Sequence, residues 1–255
     1  MNFQFGGNLI YEAEDEWGYI YVVDTETHRI LSFDTVIQQS CMDLKHPEII
    51  TLDYLKAVVL IFAFTSPKSM MILGVGGGDL MRALVHVMPN LKVNAVELRA
   101  EILAVSERFF LLPMQGNITY YADDGRRYLE NAADNSTDVI FSDMFSVSGV
   151  NAYQNKAQFL SHCHRALSDD GWLVANFHEL HRLDTLFFER LKTLFSAVFL
   201  CPVPGGNFIL FAGKKPIDKT LPEYKPEVEA LSLKLGTELT PLFERTITLS
   251  EYELM

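Results

Sequence analysis

A glycine-rich turn is the first feature of the sequence that could do chemistry. The segment Met70–Leu84, MMILGVGGGDLMRAL, is an apolar run that breaks into glycines and then an aspartate. Such a strand–loop–helix unit lets backbone N–H groups approach a nucleotide or a nucleoside. A Walker A loop would end in Gly-Lys-Ser/Thr, whereas Gly78 is followed by Asp79 and Leu80. A dinucleotide fingerprint that starts at Gly74 needs a third glycine where Asp79 stands, and a carboxylate there would repel a pyrophosphate. The loop therefore predicts a nucleoside ligand that carries no phosphate.

Two acidic residues follow the next two predicted strands. Glu97 ends the strand KVNAVE, where an acid can accept hydrogen bonds from both ribose hydroxyls, and Asp124 follows ITYYA, where its carboxylate could accept from an adenine amino group. Taken alone, each acid is more typical of a surface position or a helix cap, and a glycine turn is compatible with simple tight packing. Because the carboxyl ends of parallel strands meet at one edge of a sheet, the three features together predict a nucleoside cradle.

The elements that must position these residues alternate between strands and helices from Met70 to Gly213. The predicted strands are MMILGV, KVNAVE, ITYYA, TDVIFSDMF, DGWLVANF, AVFLCPV and NFILFAGKK. Alternation predicts a doubly wound, mostly parallel sheet, and the short PGG connection makes the last two strands antiparallel. This seven-stranded, Rossmann-like α/β arrangement resembles the class I S-adenosylmethionine-dependent methyltransferase fold. Residues 1–50 are predicted as a small β-strand subdomain, residues 51–213 as the nucleoside-binding domain, and residues 214–255 as an extension with one or two helices packed outside.

The position of the acid in the glycine loop distinguishes two forms of the sulfonium ligand. Methyltransferases usually carry an acid two residues before the first glycine, which binds the ammonium of S-adenosylmethionine, but that position is Ile72 here. Asp79 would instead attract an aminopropyl ammonium and repel an amino-acid carboxylate. We therefore expect decarboxylated S-adenosylmethionine as the co-substrate, with S-adenosylmethionine as the alternative and no metal.

Several segments in order resemble the spermidine synthase (polyamine aminopropyltransferase) family. They are VIQQS, GVGGGDLMRAL, AVELRAEIL, DDGRRYL, DVIFSDMF and QFLSHCHRALSDDGWLVAN, and the resemblance spans Leu9 to Gly213. Enzymes of this family move an aminopropyl group from decarboxylated S-adenosylmethionine to a diamine. The resemblance implies cofactor-binding roles for Gln38, Gln39, Gly74, Gly76, Gly77, Gly78, Asp79, Glu97, Asp124 and Gly125. It implies that Tyr54 lies on the substrate side and that Asp143 is the general base, which holds the incoming ammonium and removes a proton.

The acceptor motif departs from the family pattern. The family continues after the catalytic aspartate with a second acid and a proline-containing gate, whereas this chain has Ser146 at the acid and no proline through Gly149. Leu55 replaces the glutamine that follows the substrate-side tyrosine. Burying a cation without paired carboxylates is costly in free energy, so the sequence leaves the identity of the acceptor amine open. The alternatives are a methyltransferase on the same fold and a non-catalytic nucleoside-binding paralogue.

Histidine pairs and cysteines give no metal prediction. His162 and His164 lie two apart on a predicted helix and so face different ways, and HELH (His178–His181) is predicted as an ordinary helix start because it lacks the H-E-x-x-H spacing. The three cysteines, Cys41, Cys163 and Cys201, are widely spaced and are expected to be reduced thiols.

The charge and hydropathy of the chain restrict the classes of partner that it is expected to bind. The net charge of −12, from 21 Lys+Arg and 33 Asp+Glu, argues against nucleic acid. The longest apolar run, Leu55–Phe64, is about half of a membrane span, which argues against a membrane protein and favours a buried helix. The N-terminal residues lack a secretory signal pattern, so we expect a cytoplasmic protein. The resemblance implies a small-molecule amine substrate and a homo-oligomer, either a dimer or a tetramer.

Overall fold

A small antiparallel sheet forms the N-terminal part of the chain. The computed structural model describes residues 2–146, 149–150, 153–178 and 185–254. The sheet has the order β1-β2-β3-β4, with strands β1 (Asn8–Asp15), β2 (Gly18–Asp24), β3 (His28–Ser32) and β4 (Ser40–Asp43). The sequence predicts the first three strands from their aromatic and β-branched residues. It misses β4, which has only four residues and follows the loop that carries Gln38 and Gln39.

The larger sheet confirms the predicted α/β fold. Its order is β14-β12-β13-β11-β8-β5-β6-β7. The strands are β5 (Ser69–Leu73), β6 (Lys92–Glu97), β7 (Ile118–Ala122), β8 (Thr137–Ser142), β11 (Leu167–Phe177), β12 (Ala197–Pro202), β13 (Phe208–Gly213) and β14 (Ile247–Thr248), with two short strands, β9 (Phe145–Ser146) and β10 (Gly149–Val150), paired with each other outside this sheet. Strands β7, β6, β5, β8 and β11 are parallel, and β13 and β12 are antiparallel, as the short turn requires.

The larger sheet has eight strands, one more than predicted. The extra strand, β14, pairs antiparallel with the outer side of β12. It contains two residues only, so it lacks the apolar and β-branched run by which a strand is recognised in a sequence.

Helices cover both faces of the sheet. They are α1 (Asp53–Val58), α2 (Ile61–Phe64), α3 (Asp79–Val87), α4 (Ala100–Phe109), α5 (Gly125–Asn131), α6 (Ala157–Ala166), α7 (Thr185–Leu194), α8 (Lys225–Leu235), α9 (Thr240–Phe243) and α10 (Leu249–Tyr252). The predicted helix over Leu55–Phe64 is buried but divided into α1 and α2, and the β-branched Val58 and Val59 at the break disfavour a continuous helix. The segment RLDTLFFERLKTLF, residues 182–195, predicts a further helix. Its start, and positions 179–181 of HELH, lie outside the described residues.

The C-terminal tail contributes to the main core. Its side chains Tyr224, Val228, Leu235 and Phe243 are buried in the same cluster as residues of α1, α2 and the central strands. The division of the chain at residues 50 and 213 stays a prediction. No helix in the described part of the chain is long and apolar enough to cross a membrane.

Parallel strands bring their carboxyl ends to one edge. Strands β5, β6, β7, β8 and β11 end there; β6 ends in Glu97, and each of the other four is followed by a polar or glycine residue. Because β5 and β8 are buried along almost their whole length, their apolar residues hold this edge in place.

Candidate functional site

A cavity of about 570 Å³ opens at the carboxyl edge of the larger sheet. Most of the residues predicted to form the site line it: Gln38, Gln39, Tyr54, Gly74, Gly76, Asp79, Glu97, Asp124, Gly125 and Asp143. Gly77 and Gly78 do not line the cavity but belong to the same loop. Gly77 donates its N–H to Ser40 Oγ over 2.7 Å, and Gly78 precedes α3. The structure therefore brings together residues that are far apart in sequence.

Glycine is required where the loop leaves β5. Gly74 has a φ of +104°, a conformation that side chains other than glycine rarely adopt. A Cβ atom at this position would also collide with the carbonyl oxygen of Asp143. The missing side chain thus allows the end of β5 to lie directly against the residue predicted as the general base.

Glu97 holds the glycine loop as well as facing the cavity. Its Oε2 atom accepts hydrogen bonds from the N–H groups of Val75, at 3.0 Å, and Gly76, at 3.1 Å. Its Oε1 atom accepts from the N–H of Arg99 at 3.2 Å. A carboxylate that accepts several backbone N–H groups is strongly oriented. The ribose role of Glu97 stays a prediction, and its contacts show that it also fixes the shape of the loop.

Asp79 forms a buried ion pair with Arg82, one turn further along α3. The other carboxylate oxygen accepts the N–H of Cys41 at 3.2 Å. Arg82 also donates to the carbonyl oxygens of Pro47, Gly77 and Phe110. The negative charge of Asp79 is therefore balanced within the protein, which the loop sequence does not show.

Asp124 caps helix α5, as the sequence predicts. Its Oδ1 atom accepts the N–H of Arg126 at 2.8 Å, which satisfies one of the free donors at the helix start. The side chain is exposed at the rim of the cavity. The cap uses Oδ1 of Asp124. Because the same hydrogen bond orients the whole carboxylate, it also orients Oδ2.

Asp143 follows β8 in the middle of this edge. Its N–H donates to Leu73 O at 2.8 Å, and its Oδ1 atom accepts from Asn176 Nδ2 at 2.9 Å. Burial raises the pKa of the Asp143 carboxyl, whereas hydrogen bonds from Asn176 and Tyr54 and the charge of His178 act in the opposite direction. The pKa of Tyr54 is raised well above its ordinary value, first by burial and then by the charges of Asp143 and Asp79. Tyr54 therefore keeps its proton and can donate it in a hydrogen bond to Asp143.

Seven polar residues that line the cavity are not predicted as site residues from the sequence: Ser40, Thr51, Asp53, Arg99, Asn176, His178 and Asn207. Asn176 is near the end of β11, so the rule that strands end at a common edge could have found it. Asn207 lies in the turn between β12 and β13, and Ser40 comes from the N-terminal sheet. No local pattern shows that these last two segments lie against the site.

The acceptor motif is only partly described. Leu55 is buried and lines the cavity. The Ser146 side chain, Val147 and Ser148 lie outside the described residues. Within the part of the chain that the structure describes, no three His, Cys, Asp or Glu side chains form a group that could hold a metal ion.

Relatives and solved structures resemble the chain over most of its length. No protein-family model matches it. The polyamine aminopropyltransferase of Neisseria meningitidis serogroup A is 29% identical over 214 residues, which are 82% of this chain and 80% of the relative. The polyamine aminopropyltransferase of Chromobacterium violaceum is 31% identical over 159 residues, which are 62% of this chain and 60% of the relative.

The solved structures show the same fold. A probable spermidine synthase from Corynebacterium glutamicum superposes with a TM-score of 0.73 at 24% identity and covers 89% of this chain and 87% of its own. A spermidine synthase in complex with the transition-state analogue AdoDATO has a TM-score of 0.66 at 18% identity, with 89% and 88% covered. Human methyltransferase-like protein 13 in complex with SAH has a TM-score of 0.63 at 22% identity, with 73% and 94% covered. The chain is therefore similar in sequence to polyamine aminopropyltransferases and has the fold of spermidine synthases, and these similarities support a transferase enzyme.

Proposed function

We propose that the protein moves the aminopropyl group of decarboxylated S-adenosylmethionine to a small amine, with Asp143 as the general base. The observation that supports this proposal is the position of Asp143 in the cavity. It lies in a cavity between the nucleoside-side residues Glu97 and Asp124 and the polar wall formed by Asn176 and Asn207. A base in this place stands between the two reactants that an aminopropyl transfer must bring together.

The adenosyl part of the co-substrate fits the side of the cavity formed by the glycine loop. Glu97 and Asp124 offer carboxylate oxygens there, and the glycines allow close approach of the backbone. The complexes of the similar proteins with SAH and with AdoDATO support an adenosyl ligand for this fold. Asp79 supports the decarboxylated form. Its carboxylate has more acceptor sites than its contacts with Arg82 and Cys41 use, so it can also accept a hydrogen bond from an aminopropyl ammonium.

The acceptor amine must lose a proton before it can act as a nucleophile. Asp143 removes that proton, and the nitrogen lone pair then attacks the carbon beside the sulfonium. A carbon–nitrogen bond forms, the carbon–sulfur bond breaks, and methylthioadenosine leaves. Because burial raises the pKa of Asp143, its carboxylate is a stronger base than an exposed aspartate would be.

A methyltransferase is the second candidate, and the Asp79–Arg82 ion pair favours it. Since Arg82 balances the charge of Asp79, the loop repels an amino-acid carboxylate less than a free aspartate would. Calorimetry with both ligands separates the candidates. Aminopropyl transfer predicts tighter binding of decarboxylated S-adenosylmethionine, and tighter binding of S-adenosylmethionine would favour methyl transfer.

Turnover with a panel of diamines and polyamines tests the proposed reaction. We expect wild-type protein to release methylthioadenosine and form an aminopropylated amine, and Asp143→Asn to lose about 10²-fold or more in kcat while it still binds methylthioadenosine. Full activity of Asp143→Asn would remove the proposed base. A lack of turnover with any amine would favour the non-catalytic alternative. The small amine as substrate and the homo-oligomer remain proposals from the family resemblance, and the cytoplasmic location remains a prediction.

A further inference from the structure

A buried glutamine lies behind the cavity wall, beside the ends of two central strands. Gln154 precedes α6, and 0% of its surface is exposed. It does not line the cavity that contains Asp143. A side-chain amide carries donor hydrogens and an acceptor oxygen, and burying these groups without partners is costly in free energy. The hydrogen-bond partners of Gln154 therefore indicate what its burial achieves.

Gln154 connects β8 to β11 by two hydrogen bonds. Its Oε1 atom accepts from Ser142 Oγ at 2.8 Å, and its Nε2 atom donates to the backbone carbonyl oxygen of Asn176 at 2.6 Å. Because a carbonyl oxygen only accepts, the amide nitrogen of Gln154 must face Asn176 and its oxygen must face Ser142. Ser142 is the last residue of β8, and Asn176 is the last but one of β11.

The backbone pairing between β8 and β11 ends beside these hydrogen bonds. Its last pair joins Ser142 to Ala175. Asp143 and Asn176 are the next residues along, and Asn176 Nδ2 donates to Asp143 Oδ1 at 2.9 Å. Asp143 is held by β5 on one side, and Asn176 is paired with β13 on the other. Gln154 thus connects the two strands at the point where the side-chain hydrogen bond to Asp143 begins.

We propose that Gln154 is a positioning residue that holds the amide of Asn176 against the carboxylate of Asp143, a role that rests on the proposed aminopropyl transfer. It acts through Asn176, since Gln154 itself does not line the cavity. A donor held against a carboxylate favours the ionised form, which is the form that takes a proton from the amine. A base displaced by a fraction of an ångström also reacts more slowly.

The competing explanation is that Gln154 only stabilises the fold. A purely structural residue would change the free energy of unfolding without changing the titration of Asp143. The titratable groups that act on Asp143 are Tyr54 on α1 and His178 after β11, and both are present in every variant below. Differences in the titration of Asp143 therefore report on Gln154 and Asn176.

Four variants separate the two explanations. Gln154→Met has a similar length but no amide, and Ser142→Ala removes only one of the two hydrogen bonds. Asn176→Leu removes the donor to Asp143 itself. Thr137→Val is the matched control: Thr137 is buried at the opposite end of β8, and its Oγ1 atom donates to Val139 O at 3.1 Å. This control loses a buried hydrogen bond of the same strand far from the cavity.

Two measurements are made on each variant. The first is the pH titration of the Asp143 carboxyl carbon by ¹³C NMR, which needs no turnover. The second is kcat against pH with the amine panel. Together they separate the orientation of the donor from its consequence for the reaction.

We expect the pKa of Asp143 to rise in Gln154→Met and in Ser142→Ala, because the donor to the ionised carboxylate is less well held. The acid limb of the kcat profile should move to higher pH in the same variants, and kcat of Gln154→Met should fall by about 10-fold or more. In the double variant Gln154→Met/Asn176→Leu, the pKa should match that of Asn176→Leu alone, because residues that act through one contact are not additive. Thr137→Val should titrate like wild type.

The proposal is overturned if Asp143 titrates in Gln154→Met as it does in wild type, if the shifts of Gln154→Met and Asn176→Leu add in the double variant, or if kcat of Gln154→Met equals that of wild type. Should Gln154→Met not fold, the same titration of Ser142→Ala decides. A wild type that forms no aminopropylated amine would contradict the proposed function instead. The NMR titration would then still show whether Gln154 holds Asn176 against the carboxylate.

Discussion

At the scale of single residues, the surroundings of Asp143 change the pKa of its carboxyl in opposite directions. Burial raises the pKa of Asp143, and hydrogen bonds from Asn176 and Tyr54 lower it. The proposed general base works only when it is ionised, so we expect activity to be lost as the pH falls through the pKa of this carboxyl. Under this proposal, the neighbours of Asp143 set the lowest pH at which the protein is active.

Asn176→Leu tests this balance. Removal of the amide donor removes one cause that lowers the pKa of Asp143, so that pKa rises. The acid limb of the kcat profile should therefore move to higher pH, with a smaller change of kcat on the alkaline plateau. A limb that stays in place or moves to lower pH would show that Asn176 does not stabilise the ionised carboxylate.

Gly74→Ala tests the close approach of β5 to Asp143. Both the positive φ and the contact of the new Cβ with Asp143 O are unfavourable, so we expect a loss of about 1–3 kcal/mol in the free energy of unfolding. Activity should also fall, because Asp143 must shift. Gly116→Ala is the matched control, since a Cβ at Gly116 meets no atom within 4 Å. Urea unfolding of both variants measures the difference, and equal stabilities would contradict the steric account.

At the scale of elements, the glycine loop and α3 are joined by the Asp79–Arg82 ion pair. Both side chains are 5% exposed, so neither charge is solvated by water. The loss of one partner from a buried pair leaves the other charge uncompensated, which is costly. This pair therefore stabilises the loop whatever ligand Asp79 meets in the cavity.

Arg82→Met should lower the free energy of unfolding by about 3–5 kcal/mol. Lys225→Met is the control, because it breaks an exposed ion pair with Glu244, and such pairs contribute at most about 1 kcal/mol. Thermal or urea unfolding provides both values. If the two variants lose the same small amount, the buried pair does not hold the loop as proposed.

The sequence predicts which strands carry the site residues better than it predicts the contacts between those residues. Glu97, Asp124 and Asp143 follow three parallel strands, and the common edge of those strands is enough to place them together. The i, i+3 spacing of Asp79 and Arg82 is visible in the sequence, but their burial is not. Asn207 reaches the site through the turn before β13, and its position depends on tertiary packing that has no local pattern.

At the scale of the whole molecule, the C-terminal tail is part of the core. Phe243 is 5% exposed, and its ring centroid lies 6.5 Å from that of Phe64 in α2. A tail that packed only on the outside would contribute little to the stability of the α/β domain. The shared cluster instead implies that the tail and the sheet unfold together.

Phe243→Ala should therefore destabilise the whole protein by about 3–5 kcal/mol, the usual cost of removing a buried aromatic ring. Leu233→Ala, in α8 of the same tail, is the control because Leu233 is 86% exposed, and we expect a change within about 0.5 kcal/mol. A single unfolding transition shifted by the first variant supports the shared core. A separate early transition of the tail would contradict it.

The most direct test of the central claim follows the transferred carbon. Decarboxylated S-adenosylmethionine labelled with ¹³C in the aminopropyl chain, and S-adenosylmethionine labelled in the methyl group, are each incubated with the protein and the amine panel, and the products are identified by mass spectrometry. We predict that the aminopropyl label appears in an amine, with one methylthioadenosine released per product, and that Asp143→Asn slows this labelling by about 10²-fold or more. Transfer of the methyl label, with no aminopropyl product, would contradict the account.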